Sequence, residues 1–302
     1  MKKKALIFNA VVLLLACLGF LHFYAPRFIT EIKNPLIELF REKAEQQEQE
    51  LPREYKTFTF QTGDNLKLSG YLKASGTDTT RGTIVLLHGI RGTKEHFIAL
   101  SKQLSLLGFQ TVAIDLRAHG KSEGNDCTFG YFEKEDIAQL LDYLQEVEGV
   151  KSGIGIWGQS LGGAVALQAM ALDDRLEFGI IESTFSDLEI VVNDYSRFHL
   201  GFAIRPLSNY LLERSGEIIG YNPSEVKPLK SAGAIRQPVL MVHGGRDQRI
   251  NIQYGRANFA QLKSLQKEFY EIPEAGHLDI WKKGGDEYFN KVLTFLTGAL
   301  AK

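Results

Sequence analysis

Ile154-Gly155-Ile156-Trp157-Gly158-Gln159-Ser160-Leu161-Gly162-Gly163 is the stretch of the chain that decides its fold. A compact β-prone run at 153–157 leads directly into the pattern G-x-S-x-G, and an apolar, helix-length segment at 160–172 follows. This order predicts a strand, a sharp turn and a helix, with Ser160 held in the turn. A strained turn brings neighbouring backbones close together, so positions 158 and 162 call for glycine.

A serine hydroxyl needs a histidine to accept its proton, and the imidazole needs an acid to fix its tautomer. His277 follows the last predicted strand, and Asp247 follows the strand before it. Both positions fit the chain order serine, acid, histidine. Glu182, directly after a predicted strand, is the alternative acid. We predict Ser160 as nucleophile, His277 as base and Asp247 as the acid.

Backbone amides near Ser160 are the candidates for stabilising a developing oxyanion. His88-Gly89-Ile90-Arg91-Gly92 follows the predicted strand at 83–87, where such a donor is needed, and we assign the N–H of Ile90. The second donor is the N–H of Leu161, at the start of a helix whose dipole also favours negative charge.

Short apolar runs alternate with longer amphipathic segments along the body of the chain. The predicted strands are 55–61, 66–72, 83–87, 110–114, 153–157, 178–181, 238–242 and 268–272. The predicted helices are 94–107, 132–146, 160–172, 252–263 and 286–296. The first two strands alternate with period two around Gly63-Asp64-Asn65 and predict a hairpin. Alternation of strands and helices elsewhere predicts an eight-stranded, mostly parallel sheet covered on both faces.

The segment 186–221 breaks this rhythm, since it is longer than one crossover helix requires and is rich in aromatic and aliphatic residues. We predict a small helical cap inserted over the carboxyl edge of the sheet, where open α/β sheets bind ligands. An ordinary pair of decorating helices is the alternative.

The N-terminus opens with Lys2, Lys3 and Lys4 and then runs apolar from residue 5 to residue 24. A helix of this length is about 30 Å long, so we predict a membrane anchor at 1–25. A cleaved signal peptide and a lipidated Cys17 are the alternatives. The slight excess of positive charge before the span places the N-terminus in the cytoplasm and the body on the extracytoplasmic side. Residues 26–52 are charged and glutamine-rich and predict a helical stalk or a flexible linker.

Composition excludes several classes of protein. Hydrophobic residues at 44% and charged residues at 24% of 302 residues are typical of a folded chain rather than a disordered one. With 35 basic and 36 acidic residues the net charge is −1, so no basic surplus exists for binding nucleic acid. Two cysteines supply neither a disulfide framework nor a set of zinc ligands.

The G-x-S-x-G turn and the predicted Ser160, Asp247 and His277 together resemble the α/β-hydrolase superfamily, and the resemblance extends over 55–296. Asp115-Leu116-Arg117-Ala118-His119-Gly120-Lys121-Ser122 is similar to a D-x-R-G-H-G-x-S turn of that family, with alanine where glycine is usual. The family uses this turn structurally. Within the superfamily the chain resembles membrane-anchored bacterial serine hydrolases of the serine aminopeptidase and monoacylglycerol-lipase-like group. The resemblance implies an α/β-hydrolase domain over 53–302 that includes the cap.

The predicted function is hydrolysis of carboxylic (acyl) esters through an acyl-enzyme, without a metal or organic cofactor. The apolar cap and the anchor favour a small acyl ester or a lipid-like substrate. A peptidase is the first alternative, with Glu182 and Asp194 holding a substrate ammonium group. A thioesterase or acyltransferase would use the same three residues. A tethered, non-catalytic binding protein is the remaining alternative.

Overall fold

The computed structural model describes residues 2–33, 51–150 and 153–301. Its first helix, α1 (Lys2–Phe23), is followed after a short turn by α2 (Arg27–Thr30). The segment Lys3–Thr30 is long and apolar enough to cross a bilayer, a property that signal sequences near an N-terminus share. Most of the predicted stalk, residues 34–50, lies outside the described residues.

The body is built on one sheet of eight strands. The strands are β1 (Tyr55–Gln61), β2 (Lys67–Lys73), β3 (Gly82–Leu87), β4 (Phe109–Ile114), β5 (Ile154–Gln159), β6 (Phe178–Glu182), β7 (Val239–Gly244) and β8 (Lys267–Ile272). Their order across the sheet is β1-β2-β4-β3-β5-β6-β7-β8. β1 and β2 form the predicted antiparallel hairpin, β2 is antiparallel to β4, and the remaining pairs are parallel. The prediction of an eight-stranded, mostly parallel sheet is confirmed.

Helices lie between the strands as the alternating pattern predicts. They are α3 (Ile98–Leu106), α4 (Glu133–Glu146), α5 (Leu161–Leu172), α6 (Leu188–Leu200), α7 (Arg205–Ile219), α8 (Pro228–Ala232), α9 (Ile252–Gln261) and α10 (Ile280–Leu300). The last helix begins six residues before the predicted start at 286 and is kinked at Gly285, whose φ of 50° is not helical. The Gly284-Gly285 pair therefore bends this helix where the sequence pattern suggested that it starts.

Both faces of the sheet are buried, which explains why β3 and β7 are buried at every position and mostly apolar. Val85 and Leu87 of β3 face a core shared with α4 and α5. Ile84 and Leu86 face a second core shared with α3 and α10. Covered on both sides, the sheet presents the carboxyl ends of its strands as the place where side chains can meet a ligand.

The segment predicted as a cap forms the helical hairpin of α6 and α7. Asn193 on α6 donates to the side-chain oxygen of Asn209 on α7 at 3.1 Å. Asp194 on α6 accepts a hydrogen bond from the hydroxyl of Tyr254 on α9. The cap is therefore attached to the body by a polar contact as well as by its apolar side chains.

The residues that follow α1 pack on the body. His22 at the end of α1 lies 2.7 Å from the hydroxyl of Tyr210 on α7. Thr30 is fully buried, and its carbonyl accepts from the amide of Cys127 at 2.8 Å. The amide of Ile32 donates to the carbonyl of Asn125 at 3.0 Å. Residues 26–33, assigned from the sequence to the stalk, are thus held against the cap and the loop at 125–127.

Candidate active site

The turn between β5 and α5 is as sharp as the motif predicts. Ser160 has φ 53° and ψ −113°, a backbone conformation that residues other than glycine rarely adopt. A Cβ atom at Gly158 would lie 2.1 Å from the carbonyl oxygen of Gly162, and one at Gly162 would lie 2.2 Å from that of Leu87. Only glycine fits at these two positions, which lets α5 begin against the end of β3.

The structure brings together the three side chains that the sequence analysis selected. The Nε2 atom of His277 lies 3.0 Å from Oγ of Ser160, and its Nδ1 atom lies 2.7 Å from Oδ2 of Asp247. Because a carboxylate only accepts hydrogen bonds, Nδ1 carries the proton. Nε2 is then the acceptor that faces the serine hydroxyl, which is the arrangement needed to take up its proton.

Asp247 is held as an anion by its surroundings. The amides of Arg249 and Ile250 both donate to its Oδ1 at 2.9 Å, and Nε2 of His243 lies 3.5 Å from Oδ2. Burial alone would raise the pKa of Asp247, but the hydrogen bonds from His243 and His277, the electrostatic effect of His277 and the backbone amide of Ile250 outweigh it and hold this pKa well below its usual range. An ionised Asp247 can therefore stabilise a positive charge on His277.

His243 was not selected from the sequence. It is the penultimate residue of β7 and reaches Asp247 because the chain turns after the strand, where the amide of Asp247 donates to the carbonyl of Gly244 at 3.2 Å. The same imidazole Nε2 lies 3.0 Å from the carbonyl of Ile250, so it fixes both ends of the loop that carries Asp247. The only sequence signal was its position four residues before Asp247.

Glu182, the alternative acid, has other partners. Its buried carboxylate accepts hydrogen bonds from Trp157 at 2.7 Å, from Gln159 at 2.8 Å and from the hydroxyl of Tyr288 at 2.5 Å. Burial raises its pKa, although these three donors work in the opposite direction. Glu182 therefore joins β5, β6 and α10, while Asp247 accepts the hydrogen bond that Nδ1 of His277 donates.

The two predicted oxyanion donors flank Ser160. A Cβ atom on Gly89 would lie 3.4 Å from Cβ of Ser160, so the loop that carries Ile90 passes directly beside the serine. The Nδ1–H of His88 donates to the carbonyl of Gly89 at 2.8 Å and holds this loop in place. Leu161 is the first residue of α5.

Ser160 and His277 open on a cavity of about 520 Å³, a size typical of small-molecule sites. Much of its wall is apolar, and the residues that form this part are Ile90, Phe97, Ala99, Leu100, Leu278, Ile280 and Trp281. Tyr195 reaches the cavity from α6 of the cap, and two arginines, Arg91 and Arg249, also line it. The site therefore combines an apolar wall with fixed positive charge.

The turn at 115–122 is stabilised by buried ion pairs. Asp115 is fully buried and accepts hydrogen bonds from the side chain and the amide of Lys94. Arg117 binds both carboxylate oxygens of Asp136, at 2.7 and 2.6 Å. Ala118 adopts a left-handed φ of 66°, the conformation that favours the glycine usual at this position. These contacts are structural, as the resemblance implies.

Comparison with known proteins agrees with this architecture. The family model of the alpha/beta hydrolase fold matches residues 82–178. The chain is 28% identical over 251 residues to protein bem46 of Schizosaccharomyces pombe, covering 82% of this chain and 78% of that protein. It is 30% identical over 191 residues to the lysophosphatidylserine lipase ABHD12 of Danio rerio, covering 60% of this chain and 48% of that protein.

Among solved structures, the esterase Pf2001 of Pyrococcus furiosus superimposes with a TM-score of 0.67. It is 25% identical in sequence, and the alignment covers 82% of this chain and 93% of the esterase. The chain belongs to the α/β-hydrolase superfamily. Fold and relatives together support its assignment as a hydrolase.

Proposed function

We propose that the protein is a serine hydrolase that cleaves carboxylic (acyl) esters. The observation that carries the proposal is the continuous hydrogen-bonded series from Ser160 through His277 to Asp247, which opens on the apolar cavity. A serine aligned with a base, and a base aligned with an ionised acid, is the arrangement required for nucleophilic acyl transfer.

In the proposed cycle Oγ of Ser160 attacks the ester carbonyl carbon while its proton passes to Nε2 of His277. The amides of Ile90 and Leu161 stabilise the oxyanion, and Asp247 stabilises the imidazolium. Collapse breaks the bond to the leaving alcohol, which takes the proton from His277, and the acyl-enzyme remains. Water then attacks with His277 again as base, and the carboxylic acid leaves Ser160 free.

The choice of an ester has two supports. Pf2001 carries the name esterase and ABHD12 of Danio rerio the name lipase. The apolar wall of the cavity also suits an acyl chain, whose burial is favoured by about 25 cal/mol per Å² of apolar surface. A small acyl ester or a lipid-like ester is therefore the proposed substrate class.

The charge of the cavity argues against the peptidase alternative. A peptidase of the N-terminal type needs a carboxylate that is free to bind an ammonium group. Glu182 already accepts three hydrogen bonds, and Asp194 is bonded to Tyr254. Two cations, Arg91 and Arg249, line the cavity and would repel an ammonium group.

The test is turnover by the full chain in detergent micelles. We expect hydrolysis of 4-nitrophenyl butyrate and octanoate, no hydrolysis of leucine 4-nitroanilide, and loss of ester hydrolysis in Ser160→Ala and His277→Ala. Each variant should unfold at the wild-type urea concentration, so that lost activity reflects chemistry. Wild-type rates in Ser160→Ala would overturn the proposal.

We propose further that α1 is a single membrane span, with the body on the extracytoplasmic side. The length and apolar composition of the N-terminal helix and the three lysines before the apolar stretch support this topology. Protease added to intact spheroplasts should digest the body. Digestion only after the spheroplasts are lysed would contradict the outward orientation.

A further inference from the structure

The cavity holds an excess of positive charge beneath the cap. Arg91 directly follows Ile90, Arg249 lies two residues after Asp247, and both line the cavity that contains Ser160. Both guanidinium groups lie close enough to the hydroxyl of Tyr195 on α6 to act on its pKa, which burial raises. Two cations from different loops thus converge on one cap residue.

Arg249 is held in place without a carboxylate partner. Its amide donates to Asp247, which fixes its main chain, and its guanidinium lies 6.0 Å from the centre of the Phe198 ring. Within residues 2–33, 51–150 and 153–301, no aspartate or glutamate forms an ion pair with it. Arg246, three residues earlier, is by contrast paired with Glu274 at 2.7 Å.

Arg91 is directed by an unusual backbone conformation. Its φ of 57° lies in the left-handed region, which non-glycine residues rarely adopt because of steric strain. Gly92 donates back to the carbonyl of Gly89 at 2.9 Å, so this tight turn presents the Arg91 side chain to the cavity. Strain of this kind is concentrated at ligand-binding positions.

Among the lining residues the structure describes, Glu182 is the only carboxylate. Its two oxygens are occupied by Trp157, Gln159 and Tyr288, and burial raises its pKa. It therefore forms no ion pair with Arg249 within the described residues. Arg249, which has no acidic partner within the described residues, favours a ligand that supplies a negative charge in this partly apolar cavity.

We propose that the substrate is an ester bearing an anionic group, a carboxylate or a phosphate, which Arg249 and Arg91 bind beneath the cap. The inference rests on the proposed function for the reaction and adds the chemical class of the substrate. Planar guanidinium groups bind both anions by paired hydrogen bonds, which explains why two arginines suit this position.

The experiment compares three 4-nitrophenyl esters of matched acyl length, using the full chain in neutral detergent. They are the octanoate, the monoester of suberate, which ends in a carboxylate, and the ester of 8-phosphonooxyoctanoate. We expect kcat/KM to be about tenfold higher, or more, for at least one anionic ester than for octanoate, the contribution of one charge-assisted hydrogen bond. The arm with the larger ratio identifies the preferred anion.

Arg249→Gln and Arg91→Gln should reduce that ratio toward one by raising KM for the anionic esters. Arg246→Gln is the matched control and should keep the wild-type ratio. A wild type that cleaves octanoate with no preference for either anionic ester contradicts the anion site alone. Equal preference in wild type and Arg249→Gln also contradicts it, whereas failure to cleave any ester counts against the proposed function.

Calorimetry separates the two proposals further, because it does not require turnover. Suberate and octyl phosphate should bind Ser160→Ala more tightly than octanol does, and Arg249→Gln in the same background should abolish the difference. Equal binding of all three compounds to Ser160→Ala would overturn the anion site.

Discussion

The amide of Ser160 donates to the main-chain carbonyl of Glu182 at 2.8 Å, so the nucleophile and the buried acid beside it are joined through the backbone. The Glu182 carboxylate accepts from donors on β5 and α10, including the hydroxyl of Tyr288. A polar group buried in this way holds the turn that carries Ser160 against α10, because leaving its donors unpaired is costly.

Glu182→Leu should therefore destabilise the protein by about 3 kcal/mol, since three donors, two of them buried, lose their acceptor. Glu182→Gln keeps one acceptor oxygen and should cost about 1 kcal/mol. Urea denaturation of both variants measures the difference. Glu182→Gln should also retain ester turnover, whereas a loss as large as that of Asp247→Asn would make Glu182 the acid that orients His277.

Asp247→Asn should lower kcat by about 10⁴-fold with little change in KM. The neutral side-chain amide, unlike the carboxylate, neither fixes the His277 tautomer nor stabilises the imidazolium. Steady-state kinetics with 4-nitrophenyl butyrate measures the effect. Glu274→Gln, an exposed acid three residues before His277, is the control and should keep the wild-type rate. A loss below tenfold in Asp247→Asn would contradict the assigned role.

Asp115→Asn should cost about 3–5 kcal/mol, because the buried ammonium group of Lys94 loses its principal counter-charge. Adding Lys94→Met should recover part of this loss, since the double variant buries no unpaired charge. Urea denaturation of the two single variants and the double variant gives the coupling free energy. Strict additivity of the two substitutions would show that the ion pair contributes nothing.

Stability should decrease as the pH falls from about 6.5 toward 4. Burial lowers the pKa of His88 to about 4, and burial together with the nearby His88 lowers the pKa of His119 to about 3. Both histidines stay neutral in the folded state, while the unfolded chain takes up protons below about pH 6.5. Each therefore contributes a loss of about 1.4 kcal/mol per pH unit within this window.

The measurement is urea denaturation at pH 7 and pH 5 for wild type and His119→Asn. The asparagine amide can replace Nδ1 of His119 as donor to the carbonyl of Arg117 but does not titrate. The free energy of unfolding should fall less between the two pH values in the variant. An identical pH dependence in both proteins would contradict the lowered pKa of His119.

Local sequence patterns predicted most of the fold. The eight strands were each placed within two residues of their observed bounds, because both-face burial produces continuous apolar runs. Trp157 was expected to end β5, but the strand continues to Gln159, which pairs with Glu182 on the neighbouring strand. A polar residue in a strand is explained by such a partner, and the local pattern does not reveal it.

Long-range contacts account for what the sequence did not predict. The convergence of Ser160, His277 and Asp247 could be predicted because each follows a strand. The contacts of His243 and Arg249 with Asp247 depend on how the glycine-containing loop after β7 folds, which the local sequence does not reveal. The packing of residues 26–33 on the cap also joins segments far apart in the chain. Composition alone suggested a stalk, since it does not report which surface a segment meets.

The most direct test of the central claim is to find which residue a fluorophosphonate probe modifies in the full chain, by peptide mapping. We predict modification of Ser160, its loss in Ser160→Ala and a strong reduction in His277→Ala. Ser183→Ala, which removes another serine hydroxyl from the same cavity, should label as wild type does. A folded wild-type protein that is not labelled, or is labelled at another serine, would contradict an activated Ser160.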